Sequence, residues 1–348
     1  MITQDIMKNI IVNIFLLFFG FMIIIVFLFL ILEIKFFFTK GTIYESYKKT
    51  NELYETHKSI PINLCDRMKY YEELTTQLKV IPPEYPFIVR IDGRFLNKII
   101  KKNKKINCEK NDSLPYSLEC KRAMLHTANN LLHEFQPATV YTHSNEITLI
   151  FSAQKNQHIF GGKVLKIISI ISSFASVSFE RNLLNECLDV SKIGKSVDKQ
   201  SLEEIIKSKN NKSLISFDGK ILVFPLDKTY EIANHMIWRS KGDCTRNFIA
   251  MYAEKYIGKK EIQCMCISDR IEKLKELKYD LSEESSDVDY AMKHGVFLKL
   301  NNNKTIFYVF RNLKYSTDMM KFLETNEVPD NICDIKYDNT NYGILFNL

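Results

Sequence analysis

Two strand-like segments of the sequence end in polar side chains that could hold a divalent cation. The run PFIVRID at 86–92 is apolar and β-branched and ends at Asp92, while Asn145 and Glu146 lie at the tip of a predicted hairpin between ATVYT and ITLIF. If these segments are neighbours in one sheet, Asp92 lies close to Asn145 and Glu146. Carboxylates on neighbouring strands can hold Mg²⁺ against a triphosphate and an attacking oxygen, as in a polymerase palm. Asp92 and Glu146 are therefore the candidate catalytic residues.

Two features next to Asp92 add to this candidate site. Gly93 lacks a side chain, so its carbonyl can approach a cation closely. The following segment, RFLNKIIKKNKK at 94–105, holds Arg94 and five lysines but no acid. A charge run of this kind is usually a solvated surface, but beside a metal-binding strand end we expect it to contact phosphate or RNA.

The elements that must position these residues follow from hydrophobic periodicity. Apolar residues at three- and four-residue steps predict amphipathic helices over about 116–135 and 163–181, and KILVFP at 220–225 predicts a further strand. The order is then β-α-β-β-α-β, the split βαβ arrangement of ferredoxin-like sheets, in which the first and third strands are adjacent. The predicted fold class is α+β, a ferredoxin-like palm with helical additions near 227–238 and 243–257.

Composition changes along the chain predict its organisation. We expect an N-terminal anchor at 1–38, a polar stalk at 39–62, a palm domain at 63–260 and a C-terminal extension at 261–348. The palm domain carries a polar surface insertion at about 182–216. The residues after 300 alternate in polarity and predict either strands or an oligomer contact.

Charge and cysteine content exclude some classes of protein. The formal net charge of +7 permits a polyanionic partner without establishing one. The eight cysteines form no CxxC pair and no Cys/His zinc spacing, which argues against a zinc ribbon or a disulfide framework. Reduced thiols favour a domain that faces the cytosol.

The N-terminal segment at 10–32 has no charged residue and is long enough, as a helix, to span a bilayer. It is followed by Lys35, Lys40, Lys48 and Lys49, whereas only Lys8 precedes it. The positive-inside bias then predicts a single-pass membrane anchor with the remainder of the chain in the cytosol.

Six blocks of sequence, in chain order, carry a family resemblance. They are NLCDRMKYYE (63–72), RIDGR (90–94), YTHSNEITLIF (141–151), FGGKVLKIISIISSFASVSF (160–179), FDGKILVFP (217–225) and WRSKGDCTRNFI (238–249). Over about 63–300 the chain resembles the tRNA-histidine guanylyltransferase superfamily. The TRN at 245–247 is most similar to the guanylyltransferase-like branch.

The resemblance implies a palm-type enzyme that adds nucleotides to the 5′ end of tRNA in the 3′-to-5′ direction, in tRNA maturation or 5′-end repair. It implies two Mg²⁺ ions, GTP and ATP as substrates, tRNA as partner and a homo-tetramer.

The resemblance also implies roles for individual residues. The metal ligands are Asp92, the Gly93 carbonyl and Asn145 at the second metal position, with Glu146 at the acidic position beside it. The nucleotide-binding residues are Asp92, Gly93, Arg94, Phe95, Leu96, Asn97, Ser144, Asn145, Lys163 and Lys166. The residues that contact nucleotide or tRNA are Arg239, Asp243, Arg246 and Asn247.

The sequence departs from the family pattern at a few positions. Asn145 stands where the family has its second metal aspartate, and an amide oxygen brings no charge to a cation. Asn97 and Leu114 replace a histidine and a lysine of the family, and the block at 238–247 is one residue longer. An alternative is therefore a catalytically weakened palm-fold RNA- or nucleotide-binding protein at a membrane. An anchored nucleotide cyclase is a third possibility.

Overall fold

The computed structural model describes residues 60–94, 96, 117–192, 215–281, 287–310, 313–325 and 335–337, together with residues 21, 24 and 28. The chain divides into two compact units, Met1–Thr56 and His57–Leu348. Phe95, Asn97 and the basic run at 97–105 lie outside the described residues, as does the later part of the predicted insertion.

The described part of the second unit is built on an antiparallel sheet. Its strands are β1 (Phe87–Arg94), β2 (Thr139–His143), β3 (Glu146–Phe151), β4 (Ser216–Val223), β5 (Val296–Asn301), β6 (Lys304–Val309) and β7 (Ile335–Tyr337). Their order across the sheet is β4-β1-β3-β2-β5-β6-β7. The first four strands have the ferredoxin-like order, so the predicted adjacency of β1 and β3 is confirmed.

Helices connect and cover these strands. They are α1 (Leu64–Thr75), α2 (Leu118–Phe135), α3 (Val164–Lys192), α4 (Glu231–Ile237), α5 (Thr245–Tyr256), α6 (Ile267–Glu276), α7 (Asp287–His294) and α8 (Thr317–Glu324). A π-helical stretch, Trp238–Cys244, joins α4 to α5 without a break. The helices predicted near 227–238 and 243–257 are therefore one continuous helical segment.

Side-chain caps mark where the first helices begin. The side chain of Asn63 accepts hydrogen bonds from the backbone N–H groups of Cys65 and Asp66, which α1 itself cannot pair. Ser117 caps α2 in the same way through the N–H of Cys120. The chain leaves α2 at Gln136, which adopts the left-handed conformation common at helix ends.

Helices cover both faces of the sheet. On one face α3 packs closely on β4, since a Cβ at Gly219 would lie 2.7 Å from Ser172 Oγ and 3.1 Å from Ile168 Cγ2. Ser176 Oγ, further along α3, accepts a hydrogen bond from the N–H of Phe217. On the other face α1 packs against β4, where Thr75 Oγ1 accepts from the N–H of Val223. The segment from α4 to α5 covers this second face near the end of β1.

The C-terminal extension continues the same sheet. Val140 of β2 pairs with Leu298 of β5, and β6 and β7 add beyond it. The strand interpretation of IFYVF is therefore correct. Helix α3 extends to Lys192, past the predicted helix end at 181 and into the segment predicted as an insertion.

The predicted membrane anchor is wrong. Among the residues that the structure describes, no helix combines the length and the apolar character that crossing a bilayer requires. Within 10–32 only residues 21, 24 and 28 are described, and they are helical. The localisation inferred from the anchor, with the remainder of the chain on the cytosolic side, is withdrawn with it.

Candidate functional site

A row of titratable side chains crosses four strands at one end of the sheet. His143 of β2 pairs with Glu146 of β3, Glu146 pairs with Asp92 of β1, and Asp92 pairs with Asp218 of β4. Residues directly opposite each other in an antiparallel pair project from the same face. The four side chains therefore lie side by side, with Asp92 exposed and Glu146 buried.

Asn145, in the turn between β2 and β3, forms hydrogen bonds to the end of β1. Its side-chain Nδ2 donates to Asp92 Oδ1 and, at 3.0 Å, to the carbonyl oxygen of Gly93. The N–H of Gly93 donates in turn to the backbone oxygen of Asn145 at 2.8 Å. The structure thus brings together the three residues that the resemblance assigns as metal ligands.

These three residues form a donor set that fits one Mg²⁺ ion but is weak for two. They offer one carboxylate, one backbone carbonyl and one amide oxygen, provided that the Asn145 amide is reversed. Mg²⁺ in proteins is commonly held by one or two carboxylates together with substrate phosphates and water. Among the described residues, no three His, Cys, Asp or Glu side chains gather into a separate metal site.

Glu146 is not free to join a metal site. Arg239 donates to it from two nitrogens, with Nε 2.8 Å from Oε1 and Nη2 bonded to Oε2. Arg90 on the neighbouring strand approaches the same carboxylate, with its Nε 3.7 Å from Oε2. Both oxygens of Glu146 are thus occupied by guanidinium groups, and we interpret it as a positioning residue.

The charges around Glu146 continue as a chain of ion pairs with alternating sign. Glu72 of α1 contacts Arg90 and lies 3.0 Å from Lys220 Nζ. On the other side Arg239 contacts Asp243, which also contacts Arg246. Alternating charges let a half-buried network form without an uncompensated charge. The network links α1, the sheet and the helical segment 231–256.

The surroundings shift the pKa values of the row. Burial, reinforced by the charges of Glu146 and Asp218, raises the pKa of Asp92 to about 6. Burial lowers the pKa of His143 to about 4, so the ring is neutral at pH 7. Burial opposes ionisation of Glu146, yet its pKa lies below the usual value because His143, Arg239 and Arg90 face it. Of the carboxylates Asp92 and Glu146, Asp92 is therefore the one whose negative charge a bound cation would stabilise more.

The end of β1 leaves little room for a side chain at Gly93. A Cβ there would lie 2.4 Å from Cδ1 of the buried Leu96, so the Leu96 side chain would have to move. Arg94, the next residue, is exposed and its Nε lies 3.9 Å from Asp218. Ser144 sits in the hairpin turn with φ 51° and donates to Asn145 Oδ1. Arg94 and Ser144 are thus beside Asp92, as the resemblance implies for nucleotide-binding residues.

Lys163 and Lys166 are not brought to Asp92. Lys163 pairs with Val80, in the segment that precedes β1, whereas Asp92 lies near the end of β1. Lys166 lies in the first turn of α3, on the opposite face of the sheet from the titratable row. Their assignment as nucleotide-binding residues stays a prediction that this arrangement does not support.

The helical segment 231–256 carries the remaining predicted residues. Arg239 and Asp243 belong to the π-helical stretch and are buried, whereas the side chain of Arg246 is 56% exposed. Asn247 is half-buried in the first turn of α5. A π turn inside an α-helix often marks a functional site, and here it directs Arg239 onto Glu146. Arg246 and Asn247 remain available for a ligand at the surface.

Sequence reasoning missed part of the site. Glu72, Asp218 and Lys220 were not predicted to lie near Asp92, and His143, which is 5% exposed, was not among the predicted site residues. The signal for Asp218 and Lys220 was present in the strand alternation of FDGK, where both residues share a face.

Comparison with known proteins places these features in a family. The family model described as tRNAHis guanylyltransferase matches residues 65–225. A curated relative, uncharacterized protein R259 of Acanthamoeba polyphaga mimivirus, is 32% identical over 278 residues, which cover 74% of this chain and 88% of the relative.

Solved structures of similar proteins were also found. A bacterial tRNA(His) guanylyltransferase-like protein in complex with ATP is 25% identical, with a TM-score of 0.47 over 68% of this chain and 88% of that one. The tRNA(His) guanylyltransferase of Saccharomyces cerevisiae is 16% identical, with a TM-score of 0.45 over 66% of this chain and 91% of that one. On the family model and the viral relative, the chain belongs to the tRNA-histidine guanylyltransferase superfamily.

Proposed function

We propose that this protein is a nucleotidyltransferase that adds a nucleotide from GTP or another triphosphate to the 5′ end of a tRNA, in the 3′-to-5′ direction. The observation that carries the proposal is the convergence of Asp92, the Gly93 carbonyl and Asn145 at one end of the sheet. Family membership supplies the type of reaction, and this convergence supplies a site for it.

The residues around Asp92 suit a bound triphosphate. Asp92, Gly93 and Asn145 would hold one Mg²⁺, and the chemistry that this ion supplies when bound is neutralisation of phosphate charge. The exposed guanidinium of Arg94 and the hydroxyl of Ser144 lie beside them and can donate hydrogen bonds to phosphate oxygens. Phe95 and Asn97, which the resemblance also assigns to the nucleotide, lie outside the described residues.

Other residues of the site would bind the RNA or hold neighbouring side chains in position. Arg246, which pairs with Asp243, and Asn247 lie at the start of α5 and offer donors for a phosphate of the tRNA backbone. Arg239 orients Glu146 and does not reach the surface, because it is 9% exposed and bonded to two carboxylates. The homo-tetramer implied by the family remains a prediction.

One observation favours a second candidate function, a binding protein for nucleotide or RNA that has lost catalysis. The Asn145 amide supplies no negative charge, and it bonds to the two oxygens that a cation would use. Loss of one carboxylate lowers both cation affinity and the stabilisation of the transition state.

A tRNA extension assay separates these functions. The full-length protein is incubated with Mg²⁺, nucleoside triphosphates and a 5′-truncated tRNA, beside Asn145→Asp, Asp92→Ala and a control, Asn302→Asp, that adds the same charge in the exposed β5–β6 turn. We expect extension by the native protein and by the control, more extension by Asn145→Asp, and none by Asp92→Ala.

Three results would change the assignment. Extension by Asn145→Asp alone would favour the binding protein. No extension by the native protein or by Asn145→Asp would contradict the nucleotidyltransferase proposal. Undiminished extension by Asp92→Ala would remove Asp92 from the site.

A further inference from the structure

The amide of Asn145 has one chemically consistent orientation in the metal-free protein. The two atoms it faces, Asp92 Oδ1 and the Gly93 carbonyl oxygen, are both acceptors and have no hydrogen to donate. The amide nitrogen must therefore point toward them, and Ser144 Oγ donates to the amide oxygen on the other side at 3.2 Å. A reversed amide would bring three oxygens together with nothing between them.

We infer that the side-chain nitrogen of Asn145 takes the place of the divalent cation in this protein, so that the site stays assembled without metal and does not retain Mg²⁺ alone. The nitrogen bonds to the Asp92 and Gly93 oxygens, which are the groups that would hold a cation. An aspartate at position 145 would instead place its carboxylate next to that of Asp92. The two negative charges would repel each other unless a cation were bound between them.

Mg²⁺ alone gains too little at this site to replace the amide. Binding would break both hydrogen bonds of the Asn145 nitrogen and reverse its amide, and Mg²⁺ gives up its water reluctantly. Asp92 would be the single carboxylate among Asp92, Gly93 and Asn145, while Asp218, beside it on β4, faces Arg94 at 3.9 Å. Glu146 cannot add a second, because Arg239 and Arg90 hold both of its oxygens.

The triphosphate of a nucleotide can supply the missing charge. If the proposed function holds, Asp92, the Gly93 carbonyl and Asn145 would hold a cation only together with a bound nucleotide. Metal and nucleotide binding are then coupled in the native protein, whereas an aspartate at 145 would uncouple them.

Thermal unfolding with metal and without nucleotide tests the inference. The full-length native protein, Asn145→Asp and Asn302→Asp are each melted in EDTA and in millimolar Mg²⁺. We expect the native protein and Asn302→Asp to melt at the same temperature in both buffers. Asn145→Asp should melt lower than native in EDTA and gain about 3 °C when Mg²⁺ exceeds its Kd about tenfold.

Two results would overturn the inference: a Mg²⁺ shift in the native protein as large as that in Asn145→Asp, or no Mg²⁺ shift in a folded Asn145→Asp. Should Asn145→Asp fail to fold in either buffer, the native protein still gives an answer through Mn²⁺ binding, followed by the electron paramagnetic resonance signal of the free ion. We expect the signal of free Mn²⁺ to be unchanged by native protein. A stoichiometric loss of signal that Asp92→Asn abolishes would overturn the inference.

These measurements do not depend on activity. Calorimetry of GTP binding to the native protein, with and without Mg²⁺, examines the proposed function separately. Tighter binding of GTP with Mg²⁺ supports the coupling. Absence of GTP binding in both buffers would contradict the proposed function. It would not affect the inference that the Asn145 nitrogen takes the place of the cation.

Discussion

Removing the Arg239 side chain should destabilise the protein through the carboxylate that it leaves behind. Glu146 is 3% exposed and Arg239 is 9% exposed, so both charges are out of water. In Arg239→Ala, the carboxylate of Glu146 would keep only Arg90, at 3.7 Å, as a charged partner, and Asp243 would keep Arg246.

The expected magnitude follows from that burial. Deleting one partner of a buried ion pair costs about 3–5 kcal/mol. Because Arg90 remains near Glu146, we expect the lower end, about 3 kcal/mol, and a melting temperature lower by about 5 °C. Urea denaturation at neutral pH measures the loss in free energy of unfolding, and an unchanged m-value shows that the folded state is otherwise intact.

The loss should depend on pH. In the native protein the pKa of Glu146 is depressed, so its contribution to stability is present above the pKa of an unfolded glutamate and is lost as the pH falls. Without Arg239 the pKa of Glu146 rises and the group takes up a proton instead. The deficit of Arg239→Ala should therefore be largest at neutral pH and smaller near pH 4, where the native protein also loses this contribution.

Arg246→Ala is the matched control. Arg246 also contacts Asp243, but its side chain is 56% exposed, so we expect a loss below about 1 kcal/mol. A loss in Arg239→Ala no larger than that of the control, or a deficit that does not shrink toward pH 4, would refute the reasoning that Glu146 depends on Arg239.

Two further predictions concern positions away from the row. Burial raises the pKa of Glu324 from 4.5 to about 7, so the folded state holds a proton that the unfolded state releases between these pH values, and stability falls as the pH rises through them. Glu324→Gln should flatten this part of a melting-temperature profile, and a profile with the native slope would contradict the assignment. At Gly295, φ is 77° and a Cβ would lie 2.2 Å from Tyr141 Oη, so Gly295→Ala should cost about 2 kcal/mol or more in chemical denaturation. Gly258→Ala, with φ 110° and nothing within 4 Å of the added Cβ, carries only the backbone strain and should cost less; equal losses would remove the argument from Tyr141.

The arrangement of the central strands could be predicted because each strand and helix has a local hydrophobic pattern in the sequence. The apolar run ending at Asp92, the hairpin before Glu146 and the periodic helices at 118–135 and after 163 each specify their own element, and the split βαβ order then makes β1 and β3 neighbours. The pairing of β2 with β5 could not be predicted, since alternation identifies a strand but not its partner.

The contacts that decide the chemistry depend on packing between distant segments. Nothing in the vicinity of Glu146 in the sequence shows that Arg239, 93 residues later, holds both of its oxygens. Lys163 was assigned by its place in a matching block, but the direction of α3 puts it at the far end of the sheet. The bridge from Asn145 to Gly93 likewise follows from strand register and not from residue type alone.

The prediction of an anchor rested on hydropathy alone, which counts apolar residues over 10–32 and treats length without charge as sufficient for a span. Of that segment only residues 21, 24 and 28 are described, and the described residues give no helix of the required kind.

The π turn at Trp238–Cys244 constrains how the protein can be recombined with its relatives. Each residue of a helix contributes about 100° of rotation and 1.5 Å of advance, so deleting Lys241 to obtain a regular α-helix would swing α5 by roughly a quarter of a revolution relative to α4. Arg246 and Asn247 would then turn away from the side of the helical segment that they now occupy. A chimaera that exchanges this helical segment must therefore inherit the extra residue as well, or α5 will present a different face.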